Sequence, residues 1–577
     1  MKNYQSPRWL DCALAGLLGF LFLTHGYIAT LDADIVTTKY TPVTERQTIY
    51  VDGRRYTDFE TAFTSATNNS AIVVGPGTYQ IRAYDWADLD TVASIGNTYV
   101  RLTGVTNVQL LGIGRPVLYQ TNRGVGVMFG EVTNVHVSGI TFRGFRTNNF
   151  ATVPVVTTEQ KLPMGLAFWR TNRHVTIRDC HFEHHEGSAI HATSGGTGAG
   201  NERMRTTDLL IDGCRFIECG LTNWSGLLEG GILQCHSKTR YINNHSYGHS
   251  RGIEAYSELA GDRIDDVLIA NSTFEAGWGY DIFQVDAIPH SGFRLLNNMF
   301  ITDVSRKQSS FHSVVFLNTL NSIVSGNTWS NFWGVNVSCM ELDSQTTGIT
   351  NFIFSGNTIS GCGGWGLAFF NGSARMDRFV ITGNTFDTVG LDCIRGNAFD
   401  MLIANNLFYN WGTNSTPNNA VEMEDAFHSG TNVTIRGNVF NTSGSANRAV
   451  DIQAGSQDVR LIDNTYVMAG TKIADAGTRT SIMDNPRVFS GTADFADTGP
   501  GSSTFVQITA AGVQSNDWSQ VVFPHQFLTS TVSNFSLHSF CSNGSVWIQF
   551  INNNLLGSQD PGSTPNVRAI VRQVAPY

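Results

Sequence analysis

The sequence predicts an all-β protein built as a solenoid, a stack of similar coils made of short strands. A short motif recurs with a period of about 29 residues. Charged residues are only 15% of the 577 residues, whereas a helix-rich protein needs many Glu and Lys on its surface. Asn, β-branched residues and 58 Gly, which favour strands and turns, are abundant instead.

Composition also excludes several other classes of protein. Hydrophobic residues make up 41% of the chain, which is too apolar for a disordered protein. Neither the Gly-X-Y period of collagen nor the composition of a coiled coil is present. The net charge is −10 and no basic stripe occurs, so we predict no nucleic-acid partner.

The recurring motif consists of an aliphatic residue, a turn rich in Asn, Gly or Asp, and an aromatic residue. Twelve copies end between Phe142 and Tyr466, and Ile381–Phe386 is one of them. The motif predicts a short strand, a tight turn, and a ring that packs on the rings of neighbouring coils. Asn at the same place in successive coils should form a hydrogen-bonded ladder. The rings expected in one buried stack include Phe274, Phe300, Phe386 and Phe440.

A second strand follows the motif in most coils, as in WGLAFF (365–370) and NAVEME (419–424). Its inward positions are aliphatic. Its outward positions should form columns along the solenoid, with neighbouring side chains about 4.8 Å apart. No helical periodicity connects the strands, so a doubly wound α/β fold is not expected.

Residues 1–45 are predicted to be an N-terminal hydrophobic docking or anchor segment, with a hydrophobic helix. Lys2 and Arg8 precede an apolar run from Cys12 to Leu23. This run is shorter than the ~20 residues of a membrane span. Three interpretations stay open: a secretory signal peptide, a single membrane anchor, and a helix that docks into a larger assembly.

The start of the repeat carries a resemblance to a known superfamily. The stretch YTDFETAFTSAT (56–67) is typical of a short amphipathic helix, and AIVVGPGTYQ (71–80) of a strand ending in PGTY. With the Asn-turn repeat, they resemble the right-handed parallel β-helix superfamily of pectate-lyase type. The resemblance implies a cap over residues 46–99, where the helix covers the open end of the solenoid, and a parallel β-helix over 100–490. It implies no single reaction, because this fold carries lyases, hydrolases, epimerases and viral adhesins.

The repeat stops near Pro486, and a linker is expected over 490–503. Alternating segments then predict five short strands and a small C-terminal β-sandwich over 491–577. The segment 541–553, with the strand that holds Arg568 and Arg572, resembles small modules at the C-terminus of phage tail spikes and tail fibres. In that family such modules trimerise and cap the solenoid. The alternative is a carbohydrate-binding or stability domain of a monomeric secreted enzyme.

Acidic residues gather on the outward positions of the second strand in the later coils. A pair of carboxyl groups about 5–9.5 Å apart can cleave a glycosidic bond, one as an acid with a raised pKa and one kept ionised. The candidate catalytic residues are Glu341, Asp343, Glu422 and Glu424. The candidate substrate-binding residues are Arg395, as the clamp, with Asp392, Asp425 and Tyr256. The alternative is a solvated column of acids paired to the one arginine.

A second polar group is rich in histidine. It contains His184, His185, Glu186, His191, His236, His245, His249, Arg251 and Glu254. Because these residues do not share one face of a strand, structural histidines are expected rather than metal ligands. Nine Cys without a CxxC pair are expected to be buried thiols. No metal and no cofactor is predicted.

The overall layout resembles a bacteriophage tail spike or tail fibre protein. The resemblance implies a homotrimer in the virion that binds a host surface polysaccharide, can degrade it, and docks on other virion structural proteins through residues 1–40. The alternative is a secreted or membrane-anchored bacterial polysaccharide lyase, hydrolase or epimerase of the β-helix class, outside the cell or at its surface. A third interpretation is an adhesin without enzymatic activity. If the chain is an enzyme, we expect a polysaccharide depolymerase, either a glycoside hydrolase or a lyase.

Overall fold

The computed structural model describes most of the chain between Gln47 and Arg572. The described ranges are 47–52, 58–82, 100–122, 124–145, 164–194, 204–220, 231–256, 263–277, 279–285, 290–302, 312–332, 337–344, 348–371, 374–414, 417–423, 430–483, 487–495, 503–509, 518–522, 535–542, 545–552 and 562–572. The chain divides into two compact units, residues 1–273 and 274–577. The predicted docking or anchor segment, residues 1–45, lies outside the described residues.

The repeat forms coils of three short strands, one in each of three parallel sheets named A, B and C here. The sheet A strand carries the aliphatic residue of the motif, the sheet B strand carries the aromatic, and sheet C holds the predicted second strand. The turn from A to B is tight because a residue with positive φ, such as Gly383 (65°) or Asn405 (54°), precedes the ladder Asn. The predicted all-β class and right-handed parallel β-helix are confirmed. The aromatic, however, lies on a strand of its own.

In the first unit, the strands of successive coils pair in parallel. Sheet A contains Gln47–Val51, Ser70–Val74, Thr106–Gly112, Thr133–Ser138, Thr171–Arg178, Met204–Asp212, Thr239–Ile242 and Leu268–Ala270. Its short strand Thr193–Ser194 pairs antiparallel with Met204–Asp212. Sheet B contains Thr78–Ile81, Val117–Gln120, Thr141–Arg143, His181–Glu183, Arg215–Ile217 and His245–Tyr247. Sheet C contains Arg101–Thr103, Val125–Gly130, Met164–Trp169, Ile190–His191, Leu233–Cys235 and Arg251–Tyr256.

A six-residue helix, Phe59–Thr64, lies near the start of the first unit. Asp58 caps its N-terminus, because the Asp58 carboxylate accepts a hydrogen bond of 2.6 Å from the Thr61 backbone N–H. Phe59 and Phe63 are fully buried, and the Phe63 ring meets Phe129 of sheet C edge-on, with 5.3 Å between centroids. The helix therefore packs its apolar face on the coils. Among the described helices, none has the length and apolarity to cross a membrane.

In the second unit, the same three-strand order recurs. Sheet A contains His290–Ser291, Arg294–Leu296, Thr319–Leu320, Ile323–Ser325, Ile349–Ser355, Met376–Thr382, Phe399–Ala404, Thr434–Arg436, Arg460–Ile462 and Ser481–Met483. Sheet B contains Thr273–Gly277, Met299–Thr302, Thr328–Phe332, Thr358–Cys362, Thr385–Val389, Leu407–Trp411, Val439–Thr442 and Thr465–Met468. Sheet C contains Tyr280–Val285, Val314–Leu317, Met340–Ser344, Leu367–Asn371, Ile394–Arg395, Asn419–Met423, Arg448–Ile452 and Ile473–Asp475.

The turns of the second unit form the predicted asparagine ladder. Six of the seven ladder amides donate from Nδ2 to Oδ1 of the Asn in the next coil at 2.9–3.0 Å. The last, Asn464, donates from Nδ2 to the Ile435 carbonyl at 2.9 Å. All of these side chains are buried. The ladder residues are Asn298, Asn327, Asn357, Asn384, Asn406, Asn438 and Asn464. Every ladder amide has hydrogen-bond partners inside the core. The ladder therefore links neighbouring coils without leaving a buried polar group unpaired.

The aromatic residues of the motif form the predicted buried stack. In the second unit, successive ring centroids lie 4.9–6.4 Å apart. The stack runs through Phe274, Phe300, Trp329, Phe354, Phe386, Phe408, Phe440 and Tyr466. Phe354 comes from sheet A and bridges the coil in which Ile359 replaces the aromatic. The burial predicted for Phe274, Phe300, Phe386 and Phe440 is confirmed, since none of them is exposed to solvent.

The C-terminal region contains two antiparallel sheets of three strands each. One sheet is formed by Arg487–Phe495, Gly562–Arg572 and Trp518–Val522, and the other by Ser503–Thr509, Ser545–Asn552 and Phe535–Ser542. The predicted linker over 490–503 is partly wrong, because Arg487–Phe495 pairs with the last strand. The Gly and Thr of this segment indicate a loop. Backbone pairing with Gly562–Arg572 nevertheless makes it a strand. The sandwich arrangement, and its role in trimerisation and capping, stay predictions.

Candidate functional site

Sheet C of the second unit presents a column of side chains on its outer face. Strand pairing places Glu341, Ala368, Arg395, Glu422 and Asp451 at the same position of five successive strands. Their inward neighbours are fully buried, so the alternation of a strand turns this column outward. These inward residues are Met340, Leu367, Ile394, Val421 and Val450. The stacking that the sequence predicted for Glu341, Arg395 and Glu422 is therefore present in the register.

The sequence pattern also predicts Phe316 and Leu233 in this outward column, and the strand register shows that both predictions are wrong. Val315, and not Phe316, pairs with Glu341. In the first unit, Gln234, and not Leu233, pairs with His191 and Glu254. In both strands several apolar residues follow one another, so the sequence did not distinguish the inward position from the outward one.

Arg395 connects the acids of the column to an aromatic ring. Its Nε lies 3.6 Å from Glu422 Oε2, and its guanidinium carbon lies 4.7 Å from the centre of the Trp365 ring. Glu422 Oε1 also accepts a hydrogen bond of 2.9 Å from the Gln453 side-chain amide. The Arg395 and Glu422 side chains keep 25% and 17% of their surface exposed. A cation, a carboxyl group and an aromatic face are thus together at the outer surface.

Asp392 lies beneath this group and is nearly fully buried. Its Oδ1 accepts a hydrogen bond of 2.6 Å from the Asn419 backbone N–H. Burial raises the pKa of Asp392, and hydrogen bonds from Asn419, Glu422 and Trp365, together with the Arg395 charge, offset part of that rise. Two carboxyl groups in hydrogen-bonding contact hold one proton between them more readily than two negative charges. Asp392 and Glu422 can therefore act as an acid–base pair.

Glu341 has a different partner, His312. The His312 Nε2 lies 2.7 Å from Glu341 Oε2, and the Ser338 backbone N–H donates to His312 Nδ1 at 3.0 Å. His312 is not among the residues that the sequence pattern predicts for the site. The repeat gives no signal for it, because the strand register places Val315, and not His312, one coil before Glu341.

Glu341 and Glu422 do not form one close carboxyl pair. They lie three strands apart in the column, which puts their backbones about 14 Å from each other. Glycosidases need their two carboxyl groups within about 9.5 Å. Asp343 pairs with Leu317 and Phe370 at the other outward position of the Glu341 strand. It therefore lies in a second column, beside the column of Glu422.

The structure does not describe the side chains of three other predicted residues. Glu424 and Asp425 lie outside the described residues. Tyr256 ends the sheet C strand Arg251–Tyr256 in the first unit, and its side chain is likewise outside the description. Their proposed roles stay predictions.

The histidine-rich group of the first unit is divided between two sheets, because His245 begins a sheet B strand, whereas His191, Arg251 and Glu254 lie on sheet C strands. Glu254 accepts from Arg251 Nη1 at 2.8 Å and from Gln234 Nε2 at 3.0 Å, and all three side chains are buried. Burial lowers the pKa of His191 to about 3, although a hydrogen bond with Gln234 works in the opposite direction. Within the described ranges, no set of three or more His, Cys, Asp or Glu is arranged to hold a metal ion. The satisfied Arg251–Glu254 pair is typical of a structural cluster.

Within the described ranges, the cysteines form no disulfide bond with one another and are buried. Burial raises the pKa of Cys219 and of Cys235 to about 12. Thiols of this kind are inert at neutral pH because the reactive thiolate is scarcely formed. The predicted buried thiols are confirmed for these positions, and Cys12 lies outside the described residues.

Comparison with known proteins gives structural neighbours only. No family model matches the sequence, and no curated protein matches it either. The tailspike protein of E. coli bacteriophage HK620 in complex with pentasaccharide has a TM-score of 0.41 at 15% identity, over 88% of this chain and 82% of that chain. A doubly substituted variant of that tailspike, also with pentasaccharide, has a TM-score of 0.40 at 14% identity, over 92% of this chain and 86% of that chain. A deletion variant in complex with hexasaccharide has a TM-score of 0.38 at 14% identity, over 88% and 82%. Similarity at this level assigns neither a ligand nor an activity to this chain.

Proposed function

We propose that the chain binds a polysaccharide along the outer face of sheet C in the second unit and hydrolyses its glycosidic bonds there. The observation that carries the proposal is the contact between buried Asp392 and outward-facing Glu422, beside Arg395 and Trp365. A structural ion pair would need neither a second buried carboxyl group nor an aromatic ring under the cation. Acids that share a proton at an exposed face are typical of sites that transfer protons.

Glu422 is the catalytic residue of this proposal, because it faces solvent and can contact a sugar. Asp392 is a positioning residue that keeps a proton available, since burial favours its protonated form. The pair donates its proton to the glycosidic oxygen as that bond breaks. Water then adds to the anomeric carbon, and its proton returns to the pair, so the site ends in its starting state.

Arg395 and Trp365 are the substrate-holding residues of the proposal. The guanidinium lies over the ring and beside Glu422, so it favours the ionised form of that carboxylate after the proton has left. The half-buried indole offers an apolar edge on which a sugar ring can pack. Asp343 is retained as a proposed contact on the neighbouring column, and Glu424, Asp425 and Tyr256 as proposed contacts outside the described side chains.

We further propose that the chain acts as a spike or tail fibre of a virus particle. The apolar segment at residues 12–23, the long solenoid and the change to antiparallel strands at the C-terminus support this proposal. In this arrangement residues 1–40 attach to other virion proteins, the coils hold the host surface glycan, and the C-terminal strands hold three chains together. The secreted or anchored bacterial enzyme is the second candidate, and it shares the same proposed site.

The proposal is tested by incubating the full chain with a panel of purified bacterial capsular and O-antigen polysaccharides. We expect the chain to bind at least one polysaccharide, and the molecular mass of that polysaccharide to fall with time in size-exclusion chromatography. Binding without shortening would remove the enzymatic part and leave an adhesin. No binding to any member of a broad panel would contradict the proposal.

A further inference from the structure

We infer that Glu341, positioned by His312, is a separate subsite that binds an uncharged sugar through its hydroxyl groups. The inference rests on the proposed function and deepens it, because it names a second contact for the same polysaccharide. It also gives Glu341 a different role from the catalytic one that the sequence predicted.

The first step is the geometry at His312. The Ser338 backbone N–H donates to Nδ1, so the neutral ring carries its proton on Nε2, the atom 2.7 Å from Glu341 Oε2. Glu341 Oε2 is buried and makes no aligned hydrogen bond, so the close contact with Nε2 packs this oxygen against His312 and away from solvent. The side chain keeps 15% of its surface exposed, so Oε1 is the carboxylate oxygen that can reach a ligand.

Glu341 lies far from the bond that Glu422 is proposed to cleave. Glu341 lies two strands from Arg395 and three from Glu422, or about 10 and 14 Å along the column. This separation excludes direct proton transfer between Glu341 and the bond that Glu422 cleaves. It matches instead a sugar chain that runs along sheet C and is held again a few rings from the cleaved bond.

The charged side chains on the outer face of sheet C around this subsite are mainly acidic. Glu341, Asp343 and Glu422 are acidic residues on outward positions of sheet C. The one cation that the described column places among them, Arg395, is already paired with Glu422. A carboxylate accepts strong hydrogen bonds from hydroxyl groups, whereas it repels an anionic sugar. The subsite therefore favours an uncharged, hydroxyl-rich polysaccharide over one that contains uronic or sialic acids.

The test uses four variants of the full chain with a printed array of bacterial O-antigen and capsular polysaccharides, both uncharged and anionic. Glu341→Gln removes the charge of the subsite. His312→Gln keeps an amide nitrogen near the position of Nε2, whereas His312→Asn keeps only an acceptor near the position of Nδ1. Asp458→Asn is the control, because it removes an exposed acid that pairs with Arg479, away from sheet C.

We expect the wild-type chain to give its strongest signals on uncharged polysaccharides. Calorimetry with the strongest of these should show the dissociation constant raised about tenfold by Glu341→Gln and by His312→Asn, the loss of one charge-assisted hydrogen bond. His312→Gln should stay within about threefold of wild type, and Asp458→Asn should bind as wild type does. With the same polysaccharide as substrate, Glu341→Gln should raise KM and leave kcat within about twofold, because it removes binding that substrate and transition state share.

The outcomes separate this inference from the proposed function. A wild-type chain that binds no polysaccharide overturns both. If the wild type binds and Glu341→Gln leaves its dissociation constant unchanged, the subsite is wrong and the proposed function stands. A fall in kcat of Glu341→Gln at unchanged KM would make Glu341 catalytic and would also overturn the subsite. Equal losses in His312→Gln and His312→Asn would contradict the positioning role of Nε2, and strongest binding to anionic polysaccharides would contradict the uncharged ligand.

Discussion

At the scale of single residues, the behaviour of Asp392 follows from where its carboxyl group lies. Ionisation of a buried carboxyl group carries a desolvation cost. For Asp392 this cost is larger than the stabilisation of the ionised form by its neighbours, which are Asn419, Glu422, Arg395 and Trp365. The folded chain therefore holds a proton on Asp392 over a pH range in which the unfolded chain has already lost it. This difference connects the proposed chemistry of the site to a measurable dependence of stability on pH.

Asp392→Asn should change the pH dependence of stability in a defined direction. Since the native state binds the extra proton, the free energy of unfolding of the wild type should fall as pH rises from about 4 through the raised pKa. The Asn variant has no proton to lose there, so its stability should decline less over the same range. Urea unfolding of both chains between pH 3 and pH 8 checks this expectation. Parallel curves would mean that Asp392 titrates normally in the folded chain.

At the scale of elements, the turn between sheets A and B is the part of each coil that the sequence specifies best. A residue that tolerates positive φ is followed by an Asn whose side-chain amide makes hydrogen bonds to both adjacent coils. Asn384 shows the pattern: Nδ2 donates to the Phe354 carbonyl and to Asn406 Oδ1, each at 2.9 Å. The Asn357 backbone N–H donates to Asn384 Oδ1 at 2.9 Å. Removing one rung therefore leaves several buried groups without partners.

Asn384→Ala should destabilise the chain by about 3 kcal/mol or more, because each unsatisfied buried group costs about 1–3 kcal/mol. Asn441→Ala is the matched control, since Asn441 is only half-buried and lies at an outward position of sheet B. We expect that control to change the unfolding free energy by no more than about 0.5 kcal/mol. Thermal and urea unfolding measure both. Equal effects of the two substitutions would mean that the ladder adds little to stability.

Phe408 tests the aromatic stack in the same way. Its ring lies between Phe386 and Phe440, with centroids at 5.1 and 4.9 Å, and it is fully buried. Phe408→Ala should cost about 3–5 kcal/mol through lost burial and the cavity that remains. Its neighbour Leu407 is 36% exposed, so Leu407→Ala should cost much less. A small effect of Phe408→Ala in urea unfolding would contradict the stack as a source of stability.

The sequence predicted the elements better than it predicted the site. The ladder and the ring stack repeat at a fixed spacing, so each copy supports the others and their positions are visible in the sequence. The site depends on which side chains meet across strands, and that depends on register. His312 was missed because it lies just before the sheet C strand Val314–Leu317, outside the repeated motif. In the apolar runs Ile232–Leu233 and Val314–Leu317, inward and outward positions are both apolar. The sequence therefore did not show which residues pair with those of the neighbouring strands.

At the scale of the whole molecule, the proposed spike requires three chains. Sedimentation equilibrium of the full chain should give a mass near three times the 63.1 kDa of one chain. A chain that ends at residue 490 should lose this association if the C-terminal strands hold the trimer together. A chain that starts at Thr41 should keep it, and should still bind polysaccharide, while failing to join virus particles. A monomeric full chain would contradict the spike and favour the secreted enzyme.

The central claim is that Glu422 cleaves the bound polysaccharide, and the rate of reducing-end release tests it most directly. The polysaccharide that the wild-type chain shortens serves as the substrate, and Glu422→Gln keeps the shape of the side chain while removing its titration. We predict that kcat of this variant falls about 10²–10⁴-fold, as for the loss of a general acid–base residue, while polysaccharide binding and the unfolding temperature are retained. An unchanged kcat in Glu422→Gln would contradict the account and would place the reaction, if there is one, elsewhere on the chain.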